Sequence, residues 1–389
     1  MSGITIYEFQ PLWLTLDRVG PFQDIPYEID FTDGQDQPCN LFLLMSENGR
    51  GKTTVLECIA LLMHLLGAKY AEQFGHEDLD AGEGRIQLDV LTRIHWKGLD
   101  RTIVLSLTAG NLSKETFLKV WDTEDLDRYG AQNWHRIVFR KRTQERFVRI
   151  VDRHDDLVQD LRDYLSTENQ AVPQGFANST LSLPTALYFP AYRDIPSILG
   201  LKARPITQPK SWGYRSALAF PAHSTHRWSS SSRWTTSLDN LLVWLAWLDD
   251  GSFESAVEAV NETVFGKSPD KFLVPEIRRV PPEAVVKSAG QTHRLDRLSS
   301  GEKNLIQLFL RIGAHGTNNT WILVDELDVH LHVRWQHKAL DLMKTQIHRR
   351  PGTTVIVATH SVEILEAFPM DIQEEGLIKG GFIIDDNLR

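Results

Sequence analysis

The residues with the clearest chemical potential are Ser46-Glu47-Asn48-Gly49-Arg50-Gly51-Lys52-Thr53-Thr54. This run is the phosphate loop G-x-x-x-x-G-K-[ST] with Ser46 in place of the first glycine. Gly49 and Gly51 allow a tight backbone that aims several N–H groups at a phosphate, at the positive end of the helix that follows. Lys52 is placed to reach the β and γ phosphates, and the Thr53 hydroxyl to ligate Mg2+. A glycine-rich turn before a helix is the plainer reading, but it leaves Lys-Thr-Thr at the helix start unexplained. The second element is Trp321-Ile-Leu-Val-Asp325-Glu326, an apolar run ending in two carboxylates. A buried strand cannot carry charges in its middle, so both acids are expected at its carboxyl end, where open α/β sheets bind ligands. Asp325 suits Mg2+, and Glu326 suits the orientation and deprotonation of an attacking water. A solvated strand end is the competing reading of that pair. Leu298-Ser299-Ser300-Gly301-Glu302, opening a helix, and Thr359-His360-Ser361, ending another apolar strand, complete the set.

Regular elements must bring these four groups together. A strand over 40–45 runs into the phosphate loop, and Val55, Leu56, Ile59, Leu62, Met63 and Leu66 recur at helical spacing up to about Gly67. Pro21 and Pro26 divide the apolar alternation of 12–31 into two strands. Alternation between Arg85 and Trp121 predicts an antiparallel meander, 157–165 reads as a short helix and 238–265 as helical. The last third gives helix 302–314, strand 321–324, helix 331–347, strand 353–358 and helix 362–368, the pattern of parallel strands covered by helices. A hairpin through Lys379-Gly380-Gly381 is expected to close it.

In the order Lys52, Ser299, Asp325-Glu326 and His360, the set resembles an ABC-type ATPase. Asp325-Glu-Leu-Asp-Val-His-Leu-His332, then Trp335-Gln336, then Ala358-Thr-His-Ser-Val-Glu-Ile-Leu365 are similar to the ATPase domains of the RecF, Rad50 and OLD-nuclease group. They are most similar to the AAA-15 and AAA-21 types frequent in bacterial anti-phage operons. Leu327 and Val333 stand where that group usually has proline, a difference in loop stiffness rather than chemistry. The resemblance implies an α/β P-loop NTPase, an ABC-ATPase head with an inserted, partly helical subdomain. Residues 1–70 would form the N-terminal part of that head, 71–295 the strand meander and insertion, and 296–389 the C-terminal part. It implies ATP and Mg2+ as cofactors, with Ser46 to Thr54 binding nucleotide and Thr53 and Asp325 binding metal. Glu326 becomes the catalytic base and His360 a sensor of the γ-phosphate. Ser299 and the backbone of Gly301 would reach the γ-phosphate held by a second copy in a head-to-head dimer, with Asp328 at the interface. The glutamine that links Mg2+ to the helical subdomain in such ATPases has no clear counterpart. Arg193, in Tyr188-Phe-Pro-Ala-Tyr-Arg193, is a candidate to point at the nucleotide, against a plain strand and turn; Gln87 is its rival.

Composition narrows the setting. The 389-residue chain carries a net charge of −9, which excludes a generally basic nucleic-acid coat but leaves local patches open. Cys39 and Cys58 are too few for a disulfide framework or a four-ligand zinc site and fit a reducing compartment. There is no secretory start, and the apolar run 241–248 is far short of a membrane span, so a cytoplasmic location without membrane contact is expected. The stretches 136–153 and 197–237 are basic, and the second carries Trp212, Trp228 and Trp234 without an acid. Either could bind DNA or RNA or dock a protein, against a surface packed on its own domain. His330, His332 and His337 cluster, but His330 and His332 do not share a helix face, which favours a structural loop over a metal site. Neither a C-terminal Toprim domain like that of OLD nucleases nor a long coiled coil as in Rad50 is expected. The economical implication is a sensor and regulator in a two-component bacterial anti-phage system of the PARIS or Septu kind, controlling a separate effector, with a nuclease as first candidate. The alternative is a RecF-like repair or recombination ATPase. A transporter subunit is disfavoured by the long span from Lys52 to Leu298, and a scaffold that holds ATP and barely hydrolyses it is a further competitor.

Overall fold

The computed structural model describes residues 3–47, 49–68, 73–112, 117–140, 148–150, 155–168, 176, 182–191, 193, 195, 197–201, 203–209, 234–368 and 373–384. From the N-terminus run strands β1 (Thr5–Asp17), β2 (Tyr27–Asp30) and β3 (Leu41–Met45) and helix α1 (Lys52–Gly67). Strands β4 (Arg85–Trp96), β5 (Leu99–Gly110) and β6 (Asn133–Arg140), helix α2 (Asp156–Glu168) and strand β7 (Ser182–Phe189) come next. Helices α3 (Leu238–Leu248) and α4 (Ser252–Thr263) precede three short strands, β8 (Lys271–Leu273), β9 (Val285–Ser288) and β10 (Gln291–Arg294). Helix α5 (Ser300–His315), strand β11 (Asn318–Val324), helix α6 (Val333–Arg349), strand β12 (Thr354–Thr359), helix α7 (Val362–Glu366) and strand β13 (Lys379–Ile383) complete the order.

The central sheet has the order β13-β3-β12-β11-β7, and every neighbouring pair is parallel. Its strands are apolar on both faces because both faces are covered. Phe42, Leu44, Trp321, Leu323, Ile356 and Ala358 face a core shared with α1. Leu41, Leu43, Ile322, Val324, Val355 and Val357 face the opposite core, built with α3 to α6. The first core is closed by a second sheet whose order begins β2-β1-β4-β5-β6 and ends on the two residues Arg149–Ile150. Helix α1 is thus held between two sheets. The buried indole of Trp321 locks them together by donating to the Phe9 carbonyl at 2.8 Å, with the two rings 5.5 Å apart.

The structure departs from the expectations at several places. β4 and β5 form the predicted antiparallel pair, but Phe117–Val120 is not a strand, and the next strand beside β5 is β6, running parallel. The helical stretch 238–265 divides at Asp249 (φ +53°) and Gly251 (φ +84°), left-handed positions that end one helix and start the next. The C-terminal glycines make no hairpin turn. They lie in edge strand β13, parallel to β3, where a Cβ on Gly380 would come 2.4 Å from Cys39 Sγ and 2.9 Å from the Phe42 ring. The stretch 71–295 supplies β7 to the central sheet. Within 197–237, Trp234 is buried and donates to the Pro205 carbonyl at 2.7 Å, and Arg204 is paired with buried Glu283 at 2.7 Å. Those two are internal; Trp212, Trp228 and Ser229 to Ser232 lie outside the described residues, as do 141–147 and 151–154 of the other basic stretch. Among the described residues, no helix is long and apolar enough to cross a membrane.

Candidate active site

Strand register fixes where the chemistry collects. Met45 pairs with Thr359, Val324 with Val357, and Val324 with Phe189 on its other side. The carboxyl ends of β3, β12, β11 and β7 are therefore adjacent. They deliver the phosphate loop, His360, Asp325-Glu326 and Arg193 to one edge of the sheet, where open α/β folds bind ligands.

The phosphate loop turns through Gly49 (φ +78°) and Gly51 (φ +103°). A Cβ on Gly51 would meet the Phe22 ring at 2.6 Å, whereas nothing lies within 4 Å of one on Gly49, which faces open space. Asn48 lies outside the described residues. Lys52 is only 5% exposed, and its Nζ donates to the carbonyls of Ser46 (2.7 Å) and Glu47 (3.0 Å) and to Ser46 Oγ (3.1 Å). Ser46, in the place of a glycine, thus contributes both its carbonyl and its hydroxyl to the lysine. Burial lowers the Lys52 pKa, against the opposing pull of Glu326, Asp325 and Asp328. Arg50 pairs with exposed Glu47 at 3.6 Å, and the Thr54 side chain packs under the turn at Gly20.

Thr53 Oγ1 donates to Asp325 Oδ2 at 2.7 Å. Asp325 is 2% exposed, and its other oxygen, Oδ1, is buried with no hydrogen-bond partner among the described residues. An unpartnered buried carboxylate oxygen beside a hydroxyl is the hard-oxygen donor set that Mg2+ prefers, with substrate phosphates and waters filling the rest of its shell. These two residues fit the ion. When bound, it would neutralise phosphate charge. Among the described residues no group of three or more His, Cys, Asp and Glu could hold a metal, so the three clustered histidines form no such centre.

Burial raises the Asp325 pKa, outweighing the Thr53 hydroxyl. A carboxyl whose folded pKa lies above its unfolded value costs stability wherever it is charged, and the cost fades as pH falls towards the unfolded value. Asp325→Asn is therefore expected to stop Mg2+-dependent turnover yet raise the thermal midpoint of the metal-free protein at pH 8, by about 2 °C or more, with the gap closing towards pH 4. Calorimetry in a chelator tests this; a lower midpoint at pH 8 would contradict it.

Beyond Asp325 the chain turns sharply. Glu326 is half-buried with φ +45°, and its carboxylate accepts no hydrogen bond among the described residues. Asp328 accepts from the Thr359 hydroxyl at 2.6 Å and lies 3.6 Å from His360 Nε2. Gln336 donates to the Leu331 carbonyl at 3.0 Å and accepts from Ser361 Oγ at 2.7 Å. The turn after β11, through Asp328, and the first turn of α6, through Gln336, are thus tied to the residues on either side of His360, which is itself exposed.

Ser299 caps α5 through a capping box with Glu302: its hydroxyl donates to Glu302 Oε2 at 2.8 Å, and the Glu302 amide returns to Ser299 Oγ at 3.4 Å. Lys271 Nζ sits 2.6 Å from Glu302 Oε1. Burial would raise the Glu302 pKa, but Lys271 and Ser299 outweigh it and the net shift is downward. A Cβ on Gly301 would lie 3.2 Å from the His330 carbonyl. Among the described residues, Ser299 and Gly301 meet Glu302 and the 330–335 segment of their own chain rather than its phosphate loop.

Both candidates for the missing glutamine are otherwise engaged. Gln87 is fully buried in the second sheet, where it accepts from the Leu118 amide at 2.9 Å and donates to the Lys119 carbonyl (2.8 Å) and Asp89 (2.9 Å). Arg193 is 4% exposed, with its guanidinium spent on backbone carbonyls and on Asn304. Sequence reasoning missed Asn304; the available signal was a polar residue among the buried positions of an amphipathic helix.

A family profile described as "AAA domain, putative AbiEii toxin, Type IV TA system" matches residues 191–366. No curated protein matches the sequence. Among solved structures, the chain is similar to an SMC head bound to the C-winged helix domain of ScpA, at 14% identity over 92% of each chain with a TM-score of 0.43. The SMC head domain from Thermotoga maritima gives 14% over 93% of each chain and a TM-score of 0.36. An Smc head with an extended coiled coil bound to the C-terminal domain of ScpA, from Pyrococcus furiosus, gives 13% over 92% of each chain and 0.41. The profile spans Ser299, Asp325-Glu326 and His360, and a parallel sheet sets these loops beside a phosphate loop whose threonine touches Asp325: over 191–366 the chain is similar to that AAA family, carried on an α/β P-loop fold.

Proposed function

We propose that the chain binds ATP with Mg2+ and hydrolyses it at composite sites between two head-to-head copies, and that this cycle senses a trigger and controls a separate effector in a bacterial anti-phage system. The observation that carries the ATPase reading is the 2.7 Å bond between Thr53 and Asp325, with Asp325 Oδ1 unpartnered among the described residues, beside a lysine-bearing phosphate loop. Lys52 would exchange its carbonyl partners for phosphate oxygens, and the N–H groups at the start of α1 would add the field of a helix N-terminus. Glu326 would take the proton of the attacking water, with His360 beside Asp328 facing the γ-phosphate. Ser299 and the Gly301 backbone, turned away from their own phosphate loop, would serve the nucleotide of the second copy. An isolated head is then a poor enzyme.

The defence role draws on the matched family's description, which places its AAA domain with a toxin–antitoxin (TA) system; the separate effector is our own addition to that reading. A nuclease is the effector we favour. The test is to express the chain with the product of the adjacent gene in cells challenged with phage. Protection or growth arrest lost in Glu326→Gln supports the reading. Hydrolysis stimulated by DNA, without toxicity from the neighbour, would instead support the RecF-like repair reading.

A further inference from the structure

Arg193 and Asn304 form a buried connection that nothing in the phosphate chemistry requires. Arg193 follows the end of β7, and its guanidinium donates to the Pro190 carbonyl (2.7 Å), the Asp325 carbonyl and the Glu326 carbonyl (2.9 Å), while Nε donates to Asn304 Oδ1 at 2.8 Å. Asn304 is 3% exposed, stands one turn into α5 after Gly301, and donates from Nδ2 to the Val329 carbonyl at 3.0 Å. Burial brings the Arg193 pKa down to about 10, so the group stays cationic at neutral pH.

A non-glycine residue with positive φ, as Glu326 has, occupies a sparsely populated backbone region and persists where its surroundings over-determine it. Here the surroundings are identifiable. The carbonyls on either side of the Glu326 amide end on one planar guanidinium, a fork whose geometry lysine cannot reproduce. The same guanidinium is fixed by an asparagine of α5, which also reaches Val329 at the far end of the turn. Three anchor points therefore tie residues 325–329 to helix α5, which Ser299 caps.

We infer that Arg193 and Asn304 are positioning residues that clamp the Glu326 turn to helix α5, so that the base and the Ser299–Gly301 loop move as one body. The inference rests on the ATPase reading above for its catalytic consequence, though the clamp itself is a property of the nucleotide-free chain. Under that reading, Glu326 acts on the chain's own nucleotide and Ser299 on that of the second copy, so a shift at one site is transmitted to the other through these two side chains. Neither residue touches substrate.

The experiment compares Asn304→Ala and Arg193→Lys with wild type. In hydrogen exchange without nucleotide, amides 326–331 are expected to exchange about tenfold faster in Asn304→Ala, where two bonds are lost, with α1 unchanged. With ATP, affinity is expected to stay within about threefold while kcat falls tenfold or more, because a misplaced base costs rate rather than binding. Asn304→Ala carries the decision if Arg193→Lys fails to fold. Unchanged exchange at 326–331, or loss of kcat and ATP affinity in equal proportion, would overturn the clamp. Wild-type protein that hydrolyses no ATP would sink the ATPase reading alone and leave the exchange result to decide the clamp.

Discussion

Glu326→Gln is expected to lower kcat by about 10²–10⁴ while leaving ATP bound, the loss associated with removing a general base. The substitution keeps the volume and removes the negative charge, and with it the ability to accept a proton. Glu326 stands half-buried at the end of β11, next to Asp325, in a left-handed turn whose carbonyl is gripped by Arg193. Glutamine fits the same space, so the fold and the Thr53–Asp325 contact should survive. With ATP and Mg2+ the variant should accumulate as a loaded dimer on gel filtration, and single-turnover kinetics should show slow chemistry rather than slow binding. Equal rates for the two proteins would remove Glu326 from the role of base.

Lys52→Ala should act earlier, at binding. Charge-assisted hydrogen bonds to phosphate contribute about 1.5–3 kcal/mol each, so losing one or two weakens ATP by roughly 10–10⁴. The effect should be separable from unfolding. In the free protein the ammonium is buried and held by the carbonyls of Ser46 and Glu47, and among the described residues it has no salt bridge to lose. Titration calorimetry with a non-hydrolysed ATP analogue measures the change directly, and a thermal midpoint within a few degrees of wild type shows that the loop, not the fold, was altered. Retained nucleotide affinity would count against the whole phosphate-loop reading.

The parts of this site that were legible in the sequence share a physical cause. A doubly covered parallel strand must be apolar throughout, so 40–45, 321–324 and 353–358 stood out as runs, and polar residues just past them had to lie at one sheet edge. Glycines flanking a lysine before a helical pattern added the loop. The second sheet was less readable. Nothing in the charged strand Asn133–Arg140 reveals that it lies parallel to Leu99–Gly110, a pairing made by residues outside the local pattern. The double glycine at Gly380-Gly381 looked like a turn, because sequence cannot distinguish a glycine needed for positive φ from one needed for close approach to Cys39 and Phe42. The break at Asp249–Gly251 carried ordinary turn residues that the strong apolar pattern on both sides obscured. The clamp was hidden most deeply. Arg193 and Asn304 are far apart in the chain, and only folding brings the guanidinium onto the carbonyls of Asp325 and Glu326.

The claim on which the functional account depends is that each site is completed by a second copy. Lys52→Ala lacks a working phosphate loop and Ser299→Arg a working opposing loop, so each alone should be nearly inactive. Mixed in equal amounts, they form dimers in which one site joins an intact Lys52 to an intact Ser299. Random pairing then predicts recovery of about a quarter of wild-type turnover, since half the dimers are mixed and one of their two sites is whole. Measuring ATP turnover of that mixture tests the claim directly. Recovery near this level is the predicted result, and a mixture no more active than its two components would contradict it.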